Sequence, residues 1–311
     1  MKVSIVTPSY NQAQFLEETI VSVLEQDYPN IEYVVVDDAS TDGSLEIARR
    51  YESRLHKLVV QENAGQVAAL NHGFRHTDGE LLGWLNSDDV LLPGAVSAVV
   101  RELERDPQAL LVYGDNVFID EAGNRIPRER ASAEGAPFDP VTMVRRCKNW
   151  IPQPGSLFRR RALELAPLNE RGYYFFDFEF ALRLGASGRV KYVPGLLAEY
   201  RLHADSKTVG EPLRRARDFV RIADEFFASP DFPPSLAPYA RAGRASAYLE
   251  ASELAYNGLD LAVARRYFAH GAWLAHGRIS RRALGIGARV LLPERLVSRL
   301  RTRRHRSASE S

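Results

Sequence analysis

At 311 residues the chain exceeds one average domain of roughly 100–200, so one large catalytic domain with an appendage is expected. Its 45% hydrophobic and 26% charged residues suit an ordinary globular core, and a net charge of +1 excludes a generally basic nucleic-acid binder. The single cysteine, Cys147, excludes an intramolecular disulfide framework and any multi-cysteine metal site, and it fits a reducing, cytoplasmic compartment.

The first segment, MKVSIVTPSYNQ, turns polar too soon for a signal peptide and reads as a strand over residues 3–7 closed by Pro8. Residues 15–25 then set Leu16, Ile20, Val23 and Leu24 at helical spacing. A second strand, 33–36, ends in Asp37-Asp38, and the polar run from Ser40 to Ser44 starts a helix reaching about residue 51. A third strand at 58–60, a helix at 66–74 and a fourth strand at 81–85 follow, the last running into Asn86-Ser87-Asp88-Asp89. Residues 93–103 read as a helix with Pro93 in its first turn. Charge, Gly and Pro make 120–140 a flexible excursion. Order resumes with a Pro/Gly turn and apolar strand at 150–160, a helix at 176–184 and a strand at 190–193. Beyond about residue 211 the composition shifts to Ala/Arg/Leu-rich helices, including a hairpin over 239–276 turning at Asn257-Gly258, so a boundary is expected near Gly210. No run approaches the ~18 apolar residues that span a bilayer, so a soluble or surface-lying protein is expected.

Strand–helix alternation of this kind predicts a mainly parallel α/β sheet flanked by helices, with a C-terminal helical extension over 211–311. The continuous apolar strands YVVV and LLGWL fit burial on both faces. Ligands of such sheets bind beyond the carboxyl ends of the strands, and both acidic pairs stand there. Adjacent carboxylates at Asp88 and Asp89 repel each other, and a hard cation such as Mg²⁺ or Mn²⁺ relieves that repulsion while bridging to phosphate oxygens. Asp37 and Asp38 can accept hydrogen bonds from a base or ribose. Asp177, near a helix start, can act as a general base toward a hydroxyl. Each stretch alone also admits a plainer reading, as a helix cap, a solvated turn or a favourable charge at a helix N-terminus.

Together and in order, TPSYNQAQFLEETIVSVLEQDYPNIEYVVVDDASTDGS, ENAGQVAALNHGF, GELLGWLNSDDVLLPGA, QPGSLFRR and DFEFALRLGASGRVKYVPGLLAEYRLH resemble inverting family 2 glycosyltransferases of the GT-A fold, over about residues 3–205. The resemblance implies transfer of a sugar from a nucleotide-sugar donor to a saccharide or lipid-linked acceptor in polysaccharide or glycoconjugate assembly. It implies that Pro8, Tyr10 and Asp38 line a nucleotide pocket with Asp37 behind, and that Asn63, Gly65 and Asn71 form a second wall. Asp88 and Asp89 match the end of the DxD motif and His203 a position near the diphosphate, together the implied ligands of Mg²⁺ or Mn²⁺. Asp177 matches the catalytic base, and Gln153, Gly155 and Ser156 border the donor sugar and acceptor. Two positions depart from the pattern. Asn86 stands where many relatives carry the first Asp of DxD, which implies an altered ribose contact, and Phe176 replaces the acidic neighbour of the base.

Two rival readings fit the sequence less well. A nucleotidyltransferase would show a Gly-rich, basic phosphate loop after the first strand, and TPSYNQ has neither glycine nor a basic residue. A degenerate domain serving as a nucleotide-sugar-binding scaffold is disfavoured by joint retention of Asp38, Asp88, Asp89 and Asp177. Residues 295–306, RLVSRLRTRRHR, carry six arginines and no acid. They read either as a peripheral contact with an anionic membrane, on the inner face of the plasma membrane, or as a solvated helix end and tail.

Overall fold

The run VSIVTPS forms strand β1 (Val3–Ser9) with every residue buried, the pattern of a strand covered on both faces. Helix α1 (Ala13–Leu24) buries Phe15, Leu16, Ile20 and Val23 along one stripe. Then come β2 (Ile31–Asp37), α2 (Ser44–Arg50), β3 (Lys57–Val60), α3 (Gln66–Arg75), β4 (Leu81–Trp84), β5 (Val90–Leu91), α4 (Ala95–Arg105) and β6 (Leu111–Ile119). After α5 (Pro140–Arg146) the sheet is completed by β7 (Leu157–Arg159) and β8 (Val190–Arg201), with α6 (Ala162–Leu165) and α7 (Phe176–Ala186) between them. This computed structural model describes residues 1–126, 138–148, 151–170, 175–203, 211–276 and 281–292.

The eight strands lie in the order β3-β2-β1-β4-β7-β6-β8-β5. The first four are parallel, as expected. β7 runs antiparallel to both β4 and β6, and β5 antiparallel to β8, so the far half of the sheet is mixed. On one face Ile5, Tyr33 and Val35 pack with Leu16 and Ile20 of α1 and with Val96, Val99 and Leu103 of α4. Each such fully buried side chain contributes about 1.5–3 kcal/mol. On the other face α3 approaches so closely that a Cβ on Gly73 would sit 2.4 Å from Val6 Cγ1. A side chain there would overpack the helix–sheet contact, at a cost of roughly 1–3 kcal/mol.

Three local features differ from the sequence reading. Pro93 lies ahead of α4, not in its first turn, because Gly94 adopts a left-handed φ of 80° and the helix begins after it. β8 runs on through Pro194-Gly195 to Arg201, its pairing with β6 shifting from Tyr113/Tyr192 to Asp115/Leu196. A bulge tolerates proline where a regular central strand would not. β5, β6, α5 and α6 have no counterpart in the sequence reading. Most of the 120–140 excursion, residues 127–137, lies outside the described residues, as does the Arg-rich stretch 295–306.

The chain divides into two compact units, Met1–Pro140 with Asn149–Val209, and Val141–Lys148 with Gly210–Ser311. The second is helical: α8 (Pro212–Ala228), α9 (Ala237–Asn257), α10 (Leu261–Leu274) and α11 (Arg281–Val290). The buried stripe of α9 consists of Gly243, Ala245, Ala247, Ala251, Ser252 and Ala255, small residues that admit close neighbours. The α9–α10 turn places Leu259 at φ 68°, and Asp260 caps α10 by accepting from Val263 N–H at 2.9 Å. Among the described residues no helix is long and apolar enough to cross a membrane.

Candidate active site at the carboxyl ends of the parallel strands

β1, β2 and β4 all end on the same side, and the residues after them enclose a cavity of about 620 Å³. Pro8, Ser9, Tyr10, Asn11 and Gln12 come from β1 and its loop, Asp38 follows β2, and Asn86, Ser87 and Asp88 follow β4. Asn63, Gly65, Gln66 and Ala69 close a further wall from the start of α3, and Tyr200 of β8 also lines the space.

Hydrogen bonds between the loops hold these residues in place. Asp38 N–H donates to the Ser9 carbonyl at 2.8 Å, and Thr41 N–H donates to Asn11 Oδ1 at 2.8 Å. The Asp38 carboxylate accepts from Gln61 Nε2 (2.8 Å), Ala64 N–H (2.9 Å) and Gly65 N–H (2.9 Å), so it fixes the wall carrying Asn63 and Gly65. Gly65 itself has φ 88°, the left-handed region that favours glycine. Asp37 is buried behind Asp38, where one oxygen accepts from Ser40 N–H at 3.1 Å and the other, Oδ1, has no hydrogen-bond partner among the described residues. Ser9 Oγ is likewise buried and unpartnered. Tyr10 stands half-exposed at the rim.

Beyond β4, Asn86 bridges two neighbours: its Oδ1 accepts from Gln66 Nε2 at 2.8 Å and its Nδ2 donates to Asp89 Oδ2 at 3.2 Å. Asp89 is 1% exposed, and its other oxygen accepts from Arg201 N–H at 3.0 Å. Burial, and then the neighbouring Asp88, push its carboxyl well above the usual carboxylate range. Asp88 faces the cavity, with Oδ2 3.0 Å from His203 Nε2. Neither aspartate caps α4, whose N-cap Gly94 makes no side-chain bond.

Beneath this turn lies Arg201, whose side chain is only 1% exposed. Its Nε donates to the Asp88 carbonyl (2.9 Å), Nη1 to the Asp120 carbonyl (3.1 Å) and Nη2 to Glu18 Oε2 (2.5 Å), with the guanidinium 4.9 Å over the Phe15 ring. Arg201 therefore fixes the backbone that aims Asp88. Sequence reasoning missed it, along with Ser9, Asn11, Gln12, Gln66 and Ser87. The one available signal for Arg201 was a charged residue closing an otherwise half-buried strand.

A second, small cavity adjoins the β4 end, lined in part by Trp84, Gln153, Ser156 and Asp177. Asp177 is half-buried in the first turn of α7. Gln153 Nε2 donates to the Trp84 carbonyl, while its Oε1 is buried without a hydrogen-bond partner among the described residues. Gly155, at φ 79°, turns the chain there and shares a neighbouring small cavity with Ser156. The structure thus gathers Pro8, Tyr10, Asp38, Asn63, Gly65, Asn86 and Asp88 at one cavity, and Gln153, Ser156 and Asp177 at the other.

Two expected site residues lie elsewhere. Asn71 does not line the large cavity: its amide donates to the Leu168 carbonyl (3.0 Å) and Glu170 Oε1 (2.9 Å), holding a distant segment. Asp89 is turned inward, both oxygens occupied by Arg201 and Asn86, so of the three expected metal ligands only Asp88 and His203 face each other. Among the described residues no group of three or more His, Cys, Asp and Glu has the geometry of a metal site. One cavity-facing carboxylate with a neighbouring imidazole still suits an ion that takes most of its ligands from water and substrate phosphates.

The family model for glycosyl transferase family 2 matches residues 4–165. An uncharacterized glycosyltransferase of Rickettsia prowazekii is 30% identical over 233 residues, 72% of this chain and 71% of that protein. A Bacillus subtilis protein named for teichuronic acid biosynthesis, TuaG, is 41% identical over 90 residues, covering 28% of this chain and 36% of its own length. The chain spans only 21% of a Rickettsia conorii relative that is 39% identical over 127 residues. In three dimensions the chain resembles S. aureus TarS 1-349 in complex with UDP-GlcNAc, with a TM-score of 0.65, 17% identity, and coverage of 93% of this chain and 90% of that one. It also resembles the mannosyltransferase PcManGT of Pyrobaculum calidifontis in complex with GDP-Man and Mn²⁺, with a TM-score of 0.60, 23% identity, and coverage of 92% and 78%. At such identities the structural likeness establishes the GT-A-type fold.

Proposed function

The chain belongs to glycosyl transferase family 2, and on that footing we propose that it moves a sugar from a nucleotide-diphosphate sugar to a saccharide or lipid-linked acceptor, inverting the anomeric carbon. The observation that carries this reading is the convergence of Asp38, Asn63, Asn86 and Asp88 on one cavity of about 620 Å³ at the carboxyl ends of β1, β2 and β4. Asp177 stands at the adjoining cavity. The names of relatives and neighbours support uridine or guanosine diphosphate sugars as donors and a surface polysaccharide as product.

In this reading Asp38 orients the base side of the nucleotide, and the unpartnered Ser9 Oγ awaits a donor from it. Asp177 accepts the proton of the acceptor hydroxyl as that oxygen attacks the anomeric carbon and the bond to the nucleoside diphosphate breaks. General base catalysis of this kind contributes about 10²–10⁴-fold. Gln153 and Ser156, beside Asp177, hold the acceptor or donor sugar hydroxyls. Asp88 and His203 would hold Mg²⁺ or Mn²⁺, which when bound offsets charge on the departing diphosphate. Arg201 keeps Asp88 aimed into the cavity.

Thermal-shift measurements with UDP, GDP, UDP-GlcNAc and GDP-Man, each with and without Mn²⁺, test the reading. A ligand of the native state at a hundredfold excess over its dissociation constant adds about 2.7 kcal/mol of apparent stability. One nucleotide family should shift the melting temperature, more so with Mn²⁺, and Asp88→Asn should remove the metal-dependent part. Well-folded protein that responds to none of the four ligands would remove the donor assignment.

A further inference from the structure

The helical unit contains a second cavity, of about 500 Å³, lined chiefly by Phe227 of α8, Arg241 and Arg244 of α9, and His270 and Trp273 of α10. Its two arginines differ. Arg244 is neutralised by Asp224, whose Oδ1 accepts from Nε (3.2 Å) and Nη2 (2.9 Å) while Oδ2 accepts from the Tyr248 hydroxyl (2.7 Å). Arg241 donates through Nε to the Leu274 carbonyl at 2.9 Å and lies 5.8 Å over the Trp273 ring, with no carboxylate partner among the described residues. The cavity therefore carries one net positive charge from these three groups.

Its aromatic residues are also unusual. Trp273 is 65% exposed, although burial of so large a ring is normally favourable. The His270 ring lies 5.6 Å from Trp273, the two together forming an aromatic wall of the cavity, and rests 4.3 Å from Tyr248 behind it. Neither the Trp273 indole N–H nor either His270 ring nitrogen has a hydrogen-bond partner among the described residues. A concave site with an aromatic wall and a few converging polar groups is the usual form of a small-ligand site. An exposed indole face accommodates the C–H face of a pyranose ring. The unpaired donors around it match hydroxyl and carboxylate oxygens, and the remaining Arg241 N–H groups match one anionic group.

We propose that this cavity binds an acidic, uronate-bearing saccharide segment of the acceptor polymer. The inference rests on the glycosyltransferase reading above for the identity of the polymer, and on the Trp273–His270–Arg241 cluster for the site. A saccharide fits better than a lipid surface, because the exposed Trp273 is flanked in this cavity by Arg241, Arg244 and His270 and not by a contiguous apolar patch.

The test uses the full-length chain and four probes: hexameric oligogalacturonate, neutral maltohexaose, inorganic phosphate, and phosphatidylcholine vesicles containing phosphatidylglycerol. Binding is read by calorimetry and by shielding of tryptophan fluorescence from acrylamide, with nucleotide titrations on the same samples. Oligogalacturonate should shield Trp273 and bind about tenfold or more tightly than maltohexaose. Trp273→Ala and Arg241→Gln should each weaken it about tenfold, with Trp273→Phe retaining most of the affinity and nucleotide binding unchanged throughout. If Arg241→Gln fails to fold, the exposed Trp273 pair of variants still decides. Nucleotide binding without oligosaccharide binding overturns this inference alone, whereas loss of nucleotide binding in the unaltered chain overturns the donor assignment alone. Shielding by vesicles and not by oligosaccharide, binding of phosphate as tight as that of the oligosaccharide, or full affinity in Trp273→Ala would each also overturn the site.

Discussion

The two ends of the parallel strands treat buried polar groups in opposite ways. At the amino end, Glu32 accepts from Lys2 Nζ (3.0 Å), Ser4 Oγ (2.8 Å), Asp78 N–H (3.1 Å) and Gly79 N–H (3.2 Å), and Gly79 N–H also reaches Ser4 Oγ (3.0 Å). Both carboxylate oxygens are used. At the carboxyl end, Ser9 Oγ and Asp37 Oδ1 are buried and have no partner among the described residues, and Gln153 Oε1 beside the β4 end is the same. Leaving a buried polar atom unsatisfied costs about 1–3 kcal/mol, so the contrast has a price in stability. One end of the sheet satisfies its buried polar groups, and the other leaves some of them without a partner among the described residues. Substitutions at each end should therefore separate stability from binding and turnover.

The largest separation is expected at Asp177. Replacing it with Asn keeps the shape and removes the base, so sugar transfer should fall by about 10²–10⁴-fold. Nucleotide affinity should stay where it is, since Asp177 does not line the larger cavity. Steady-state turnover together with calorimetry checks both halves. Transfer at the normal rate would remove Asp177 from the chemistry.

Glu32 predicts the reverse. Burial alone would raise its carboxyl, but the bonds from Ser4, Lys2 and Asp78 outweigh that and hold it at about 2, below its ordinary 4.5. The unfolded chain therefore binds a proton that the folded chain does not, and stability rises with pH across this interval. The contribution, on the order of 2–3 kcal/mol, is fully present above about pH 4.5 and fades as the pH falls toward 2. Glu32→Gln should lose most of it at pH 7 without changing nucleotide affinity. Denaturant midpoints should show the gap between variant and unaltered chain closing on acidification. A gap that stays constant with pH would mean the charge of Glu32 is not what stabilises this end.

Asp38 lies between these extremes, because its carboxylate is satisfied by the chain yet shapes the ligand wall. Asp38→Asn would turn one acceptor oxygen into a donor facing Gly65 N–H or the Gln61–Ala64 pair. Nucleotide affinity should fall roughly 10–100-fold through displacement of Asn63 and Gly65, an effect of about 1.4–2.7 kcal/mol. Calorimetric titration with the preferred nucleoside diphosphate measures it. Undiminished affinity would mean that this wall does not touch the nucleotide.

How much of this was legible in the sequence follows the same division. The parallel half declares itself, because strands buried on both faces give continuous runs such as YVVV and each ends in the polar residues that line the cavity. The mixed half hides its strands. β6 carries Gly114, Asp115 and Asn116 in mid-strand, where Asp115 accepts from the Tyr192 hydroxyl of β8 at 2.6 Å, and Pro194-Gly195 reads as a stop where the strand only bulges. Side-chain direction is harder still. NSDD does not reveal that Asp88 faces the cavity while Asp89 turns toward Arg201, because that depends on a strand 112 positions away. Asn71 is claimed by Leu168, 97 positions along, for the same reason. Short-range pattern reveals which residues reach the carboxyl end; long-range packing decides which of their atoms remain available.

Ser9→Ala is the smallest and most discriminating case. The residue is 1% exposed and lines the large cavity, and its hydroxyl has no partner among the described residues, so removing it deletes an unsatisfied group and no hydrogen bond. Replacing such a group by an apolar one of similar shape is near neutral or stabilising, so the melting temperature should hold or rise slightly. If the hydroxyl is kept for the nucleotide, affinity should nonetheless fall several-fold, matching one hydrogen bond of about 0.5–1.5 kcal/mol. A melting temperature that drops by several degrees would show that Ser9 Oγ already has a stabilising partner, such as an ordered water, and would erase the contrast between the two ends of the sheet at this position. Stability held with affinity lost would locate, at a single atom, where this fold exchanges one for the other.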